Sequence, residues 1–180
     1  IPSWHEIGLL VKFENSDGYM SDQKQRGDLI RIAKDSIKSR HIKPTAFRAH
    51  GCDLYASDLI DLEDIGILVD GSLCPGALDK NGVTHPTSPV QPYHPAYGDL
   101  TVEGSAKITV APISTHNGVC GCLDQPWDVV RPVMDHGISG GGIVHLCLSD
   151  TVDNTETLRH ALAYAKSRKV HFMTMTQIAS

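Results

Sequence analysis

Two short apolar strands each end on a charged residue, and those charges are the first candidates for chemistry in this chain. Phe47-Arg48-Ala49-His50-Gly51-Cys52 delivers Arg48, and Gly66-Ile67-Leu68-Val69-Asp70-Gly71-Ser72 delivers Asp70, with a helical segment between them. Reacting groups in barrel-like α/β folds gather at the C-terminal ends of strands, so both are expected at one end of one sheet. His145 is a third candidate. Side chains alternate along a strand, so His145, Cys147 and Ser149 share a face; a hydrogen-bonded core histidine is the plain alternative. Ser149, Asp150 and His145 have the types for a hydrolase triad, but no strand-Gly-x-Ser-x-Gly-helix elbow presents the serine.

Soft ligands form a second group. His116, Cys120 and Cys122 lie close in sequence, and His50, Cys52 and Cys74 can join them in space. A structural zinc site wants four ligands with Cys-x2-4-Cys spacing. Cys120-Gly121-Cys122 is tighter than that, so ordinary buried thiols are the competing expectation. Five cysteines are an odd number, and their scatter suits reduced thiols in a cytosolic setting better than a disulfide framework. His85, His94 and His136 fall in loops and read as solvated. Gly140-Gly141-Gly142 precedes a strand and lacks the spacing of a dinucleotide or phosphate loop.

These groups must be positioned by a chain of 180 residues, enough for one domain, residues 1–180, with a sizeable core. The net charge of −5 argues against nucleic-acid binding, which needs a basic footprint. No apolar run approaches the roughly 18–20 residues of a membrane span. The chain opens at Ile1-Pro2-Ser3-Trp4 without a methionine, which reads as a cut or processed end and leaves a targeting segment open.

Strand-like and helix-like segments alternate. A strand is expected over Ile7–Val11. A helix over 21–39 is capped by Ser21, with Leu29, Ile30, Ile32, Ala33 and Ile37 as its apolar face. Thr45–Ala49 is the next strand. Ser57 opens a second helix with Leu59, Ile60, Leu62 and Ile65 inward; Gly66 stops it and the strand Ile67–Val69 follows. Residues 74–104 hold Pro75, Pro86, Pro89, Pro92 and Pro95 without apolar periodicity, which predicts a long surface excursion. Further strands are expected over Ala106–Ala111, Ile143–Leu148 and Val170–Met173. A short helix is expected over Trp127–Met134, interrupted by Pro132, and another from Thr151 or Asp153 to about Arg168 with Leu158, Ala161, Leu162 and Ala165 inward. The pattern predicts an α/β fold, an irregular or incomplete (β/α) barrel with a mostly parallel sheet.

The order of these pieces resembles the polysaccharide deacetylase family (the NodB-homology domain, carbohydrate esterase family 4). His5-Glu6-Ile7-Gly8-Leu9 is similar to the family's Gly-His-Glu-Ile-Gly strand. Residues 45–72 resemble its Arg-x-x-Gly strand end and the Gly-Ile-x-x-Asp-x-Ser strand after the intervening helix. Phe172, Thr174 and Ile178 resemble its closing Phe-x-Thr-x-x-x-Ile turn. The resemblance implies metal-dependent hydrolysis of N-acyl groups on a carbohydrate: zinc or another divalent metal held by one Asp and two His, with an Asp base and a distal His acid. It assigns Arg48 to orienting the base and Asp70 to orienting the acid, with His145 the candidate for that acid. Tyr93, Tyr97 and Trp127 are candidates to stack on sugar rings, packing beneath the long loop being the alternative.

The chain departs from the family at several of these positions. It has no Asp-Asp pair, and the expected metal histidines fall on Leu10 and on Lys12 or Glu14. Only Glu14 can offer a metal an oxygen, and zinc prefers nitrogen and sulfur. With the base missing, Arg48 and Asp70 are free to form a buried ion pair that merely fixes strand ends. Two functions follow: a carbohydrate N-deacetylase with its N-terminal strand missing from this chain or its ligands rearranged, or a catalytically silent member of the fold that binds a saccharide or protein partner without a cofactor. A barrel lacking its first strand exposes sheet edges, which predicts a homodimer or an upstream segment completing the sheet.

Overall fold

The computed structural model describes residues 6–16, 18–38, 40–76, 87–149 and 151–180. His5, His85, Pro86 and Asp150 lie outside the described residues. In chain order the elements are β1 (Leu9–Val11), β2 (Glu14–Asn15), β3 (Gly18–Tyr19), α1 (Gln23–Lys38), β4 (Ala46–Ala49), α2 (Asp58–Asp64), β5 (Val69–Asp70), β6 (Pro95–Ala96), β7 (Asp99–Glu103), β8 (Thr109–Val110), β9 (Thr115–His116), β10 (Val119–Cys120), α3 (Trp127–Ser139), α4 (Thr155–Ser167) and α5 (Met175–Ile178).

Four short strands form one all-parallel sheet in the order β1-β4-β5-β8. The sheet does not close among the described residues, so the fold is α/β in its open, incomplete-barrel form. Alternation divides its side chains between two faces. Leu9, Val11, Phe47, Ala49 and Val110 join one core with Ile30 of α1 and Leu59 and Leu62 of α2. Ala46, Val69 and Ala111 face the other way, toward Met175 and Ile178.

The helices follow narrower stripes than the sequence pattern suggests. On α1, Arg26 and Ile30 are buried and Ala33 and Ile37 pack against the core, while Ile32 is exposed. Asp22, rather than Ser21, caps this helix: its carboxylate accepts from the Gln25 backbone N–H at 2.8 Å. On α2, Ile60 is exposed; on α4, Leu162 is exposed while Ala161 and Ala165 are buried. α3 runs through Pro132 to Ser139 because Val130, Val133 and Met134 are buried on one side of it; burial offsets the lost amide donor.

Two expected strands do not pair into ladders. Over 143–148 the backbone turns to irregular partners. The Ile143 N–H donates to the Gln91 side chain at 2.8 Å, the Ser114 N–H donates to the His145 carbonyl at 2.9 Å, and the His145 N–H donates to Ser114 Oγ at 3.0 Å. Residues 170–173 join no ladder: the Val170 N–H donates to the Ala165 carbonyl at 3.0 Å, closing the end of α4, and Phe172 and Met173 are exposed. Within the Pro-rich stretch, β6 and β7 form an antiparallel hairpin, so that excursion carries its own local structure.

The cysteine expectation is corrected as well. Cys74 and Cys120 form a disulfide with Cα atoms 6.3 Å apart. The pairing joins residues 46 apart in sequence, a proximity that only the folded sheet creates.

Candidate functional site

The sheet face away from α1 and α2 forms the floor of a cleft of about 470 Å³, lined among others by Gly8, Leu10, Ala46, Arg48, Gly71 and His145. Met173, Thr174 and Met175 wall it from the C-terminal side. Leu10 and Arg48 are register partners on adjacent strands, so their side chains stand next to each other on this face. Leu10 is 62% exposed.

His145 reaches the cleft from the irregular segment after α3. Its Nδ1 lies 2.9 Å from the Ala111 carbonyl oxygen. A carbonyl only accepts, so Nδ1 carries the proton and the neutral ring keeps an Nε2 lone pair. Burial holds its pKa below the ordinary histidine value, and the Arg48 charge adds to that, against the Ala111 hydrogen bond. The ring is seated on Gly71: a Cβ there would lie 2.9 Å from His145 Cε1 and 2.9 Å from Met175 Cε. Gly71→Ala is therefore expected to displace the imidazole and Met175 and to cost about 1–3 kcal/mol by overpacking. Thermal unfolding together with the His145 ring NMR shifts checks both effects.

Arg48 and Asp70 do not pair. β5 sets Asp70 opposite Phe47, not opposite Arg48, so the two charges leave the sheet on different faces. Asp70 is fully buried and is taken up by Ser72, whose backbone N–H donates at 3.0 Å and whose hydroxyl donates to the other carboxylate oxygen. Ser72 Oγ in turn accepts from the Ala49 N–H at 2.8 Å. The Asp-x-Ser sequence thus ties the end of β4 to the turn after β5. Burial pushes the Asp70 carboxyl up to about 6, against the Ser72 hydrogen bonds and the more distant Arg48 charge. For Arg48, burial works against the charge and is outweighed chiefly by the influence of Cys147, then by Cys52 and Asp70.

The remaining sequence candidates lie elsewhere. Tyr93 is buried, its backbone bonded to Val110 and its hydroxyl donating to the Leu100 carbonyl, so its ring faces are not open to a sugar. Tyr97 donates to Glu63 Oε2 at 2.8 Å. Trp127 packs on Tyr164 and His160, ring centroids 5.6 and 5.9 Å away. None of the three lines the Arg48–His145 cleft. His116 stacks on His136 at 4.6 Å rather than joining the cysteines.

The metal implied by the family resemblance finds no fitting donor set. Leu10 is a hydrocarbon, and Glu14 sits on the β2–β3 hairpin, where it pairs with Lys12 at 2.7 Å. Among the described residues no three His, Cys, Asp or Glu side chains are grouped to hold a cation.

Sequence reasoning missed one further wall group, Glu6. Its carboxylate accepts from the Thr45 hydroxyl at 2.8 Å and from the Thr176 N–H at 3.0 Å, and from the Thr176 hydroxyl. These bonds outweigh burial and hold its pKa below the usual carboxylate value. They clamp the C-terminal turn to the N-terminal strand.

No helix among the described residues is long and apolar enough to cross a membrane. No family model matches the chain, and no curated protein matches it significantly. Among solved structures, it is similar to a crystal structure from Mycobacterium smegmatis described as a "putative polysaccharide deacetylase", with a TM-score of 0.64 and 16% sequence identity. The match covers 88% of this chain and 56% of that one, so the chain spans a little over half the length of its structural neighbour. At that identity the likeness establishes architecture: the chain has a polysaccharide-deacetylase-like α/β fold.

Proposed function

We propose that this chain is a deacetylase-fold protein that binds a saccharide in the Arg48–His145 cleft without the family's metal-dependent chemistry. One observation carries the reading. Leu10, at the position where the resemblance calls for a metal histidine, stands exposed in the cleft beside Arg48. The volume, about 470 Å³, falls within the roughly 300–1,000 Å³ of ligand pockets, and such pockets combine apolar walls with a few convergent polar groups. Leu10, Met173 and Met175 supply apolar wall for the C–H faces of a sugar ring. Arg48 offers donors to hydroxyl or acyl oxygens, and His145 Nε2 accepts from a hydroxyl.

A hydrolase reading rests on the same histidine. A neutral imidazole with an open Nε2 next to a guanidinium is suited to proton transfer at an acyl group. In that reading zinc or another divalent metal would need ligands from a second copy or an upstream segment pairing along β1, an edge strand among the described residues. Calorimetry and acetate release with N-acetylglucosamine oligomers, with and without equilibrated zinc, separate the two. The expected result is binding, no acetate release in either condition, and at least a tenfold weaker Kd for Arg48→Ala, since hydrogen bonds to a charged group contribute about 1.5–3 kcal/mol. Zinc-dependent acetate release establishes the hydrolase instead. Absence of binding to the oligomers refutes the saccharide reading.

A further inference from the structure

All five cysteines converge on one small cluster. Cys74, Ile113 and Cys147 form its buried centre, with Cys52, Cys120 and Cys122 packed around them. One pair is the Cys74–Cys120 disulfide, and Cys52, Cys122 and Cys147 are free thiols. Two of the three free thiols are register partners. Cys122 and Cys147 form a parallel bridge, closed on both sides: the Cys147 N–H donates to the Gly121 carbonyl at 2.9 Å and the Leu123 N–H donates to the Cys147 carbonyl at 2.7 Å.

We propose that Cys122 and Cys147 are a second, oxidisable dithiol pair, so that the oxidised chain carries two disulfides and a single thiol at Cys52. Bridge partners on neighbouring extended segments lie about 4.7–4.9 Å apart and point their side chains the same way. That spacing falls within the roughly 4.4–6.8 Å Cα range that a disulfide spans, so the bond closes with the backbone in place. Cys52 belongs to the turn after β4 and shares no such backbone register with Cys147.

The oxidant is a small-molecule disulfide of the glutathione class. The half-buried Cys122 is the sulfur it reaches. Cys122 loses its proton, attacks one glutathione sulfur and releases one glutathione thiol. Cys147 then loses its proton and attacks the Cys122 sulfur of the mixed disulfide, releasing the second. The protein gives up two electrons and two protons, and one oxidised glutathione becomes two reduced ones. Burial holds the Cys122 thiol up to about 12, so exchange is expected to accelerate as pH rises.

The full chain is equilibrated with glutathione at defined ratios, quenched in acid, alkylated in denaturant and mapped by peptide mass spectrometry; denaturation ensures that burial does not imitate bonding. Under oxidising ratios the free thiols are expected to fall from three per chain to one, with Cys122 and Cys147 recovered as a linked peptide pair and Cys52 alkylated. In Cys122→Ser, Cys147 is expected to stay alkylatable or to carry glutathione. Free Cys122 and Cys147 at every ratio overturn the proposal, as does a Cys52–Cys147 link in the unsubstituted chain.

Discussion

Arg26→Ala is expected to lower the unfolding free energy by about 3–5 kcal/mol, because it strands a buried carboxylate. Arg26 is 2% exposed and Asp58 fully buried. The guanidinium Nε donates to both Asp58 oxygens at 2.9 and 3.1 Å, its other nitrogens reach the Met20 and Ser21 carbonyls and Ser57 Oγ, and its plane lies 4.5 Å from the Tyr55 ring centroid. Asp58 also accepts from the Tyr55 N–H at 3.1 Å. One side chain of α1 therefore satisfies groups on the turn before its own helix and at the start of α2. Burial pushes the Asp58 carboxyl up even with Arg26 beside it, through desolvation first; without Arg26 the Tyr55 N–H is left to oppose that. Denaturant unfolding of Arg26→Ala, Asp58→Ala and the double variant checks this. The double variant should cost clearly less than the sum, since removing both partners leaves no orphaned charge. Additivity would mean that the pair is not coupled.

The second large effect is a pH dependence centred on Asp70. Its folded-state pKa, about 6, is raised above the ordinary unfolded value of about 3.9. Between those values the folded state binds more protons, so this group's contribution falls as pH rises through the window. The penalty levels off above the folded pKa at about 3 kcal/mol by linkage. His145 runs in the opposite sense: its folded pKa is depressed, so its contribution is lost as pH falls below the unfolded value of about 6.5. Glu6, Asp124 and Asp153, whose pKa values are lowered, act in the acid range below the Asp70 window. The Asp70 contribution is therefore isolated by comparing the chain with Asp70→Asn. Unfolding free energies at pH 7 and pH 4.5 should show the unsubstituted protein gaining about 2 kcal/mol relative to Asp70→Asn on acidification. Parallel pH profiles would place the Asp70 carboxyl at an ordinary pKa.

Local pattern alone determined a good part of this protein. Apolar runs ending in charged or glycine-bounded turns located β1, β4 and β5 within two residues, and the 3.6-residue spacing located α1, α2 and α4. The order of those pieces also pointed to the deacetylase-like fold, because order and spacing are properties of the chain. Register is not. A shift of one residue moves a side chain to the other face, and the pairing of Phe47 with Asp70 sent Asp70 to Ser72 and left Arg48 to Cys147. Strand identity over 143–148 and 170–173 also depended on neighbours, which gave the first a single bridge at Cys147 and the second no ladder. Nothing in the local pattern marks Arg26 as buried; its partner Asp58 comes from 32 residues away. Likewise, five scattered cysteines became one cluster only when the turns after β4 and β5, β10 with the residues that follow it, and the segment after α3 came together. Short-range periodicity is written in the sequence, whereas contacts between distant segments are fixed by the packing that pays their entropy of closure.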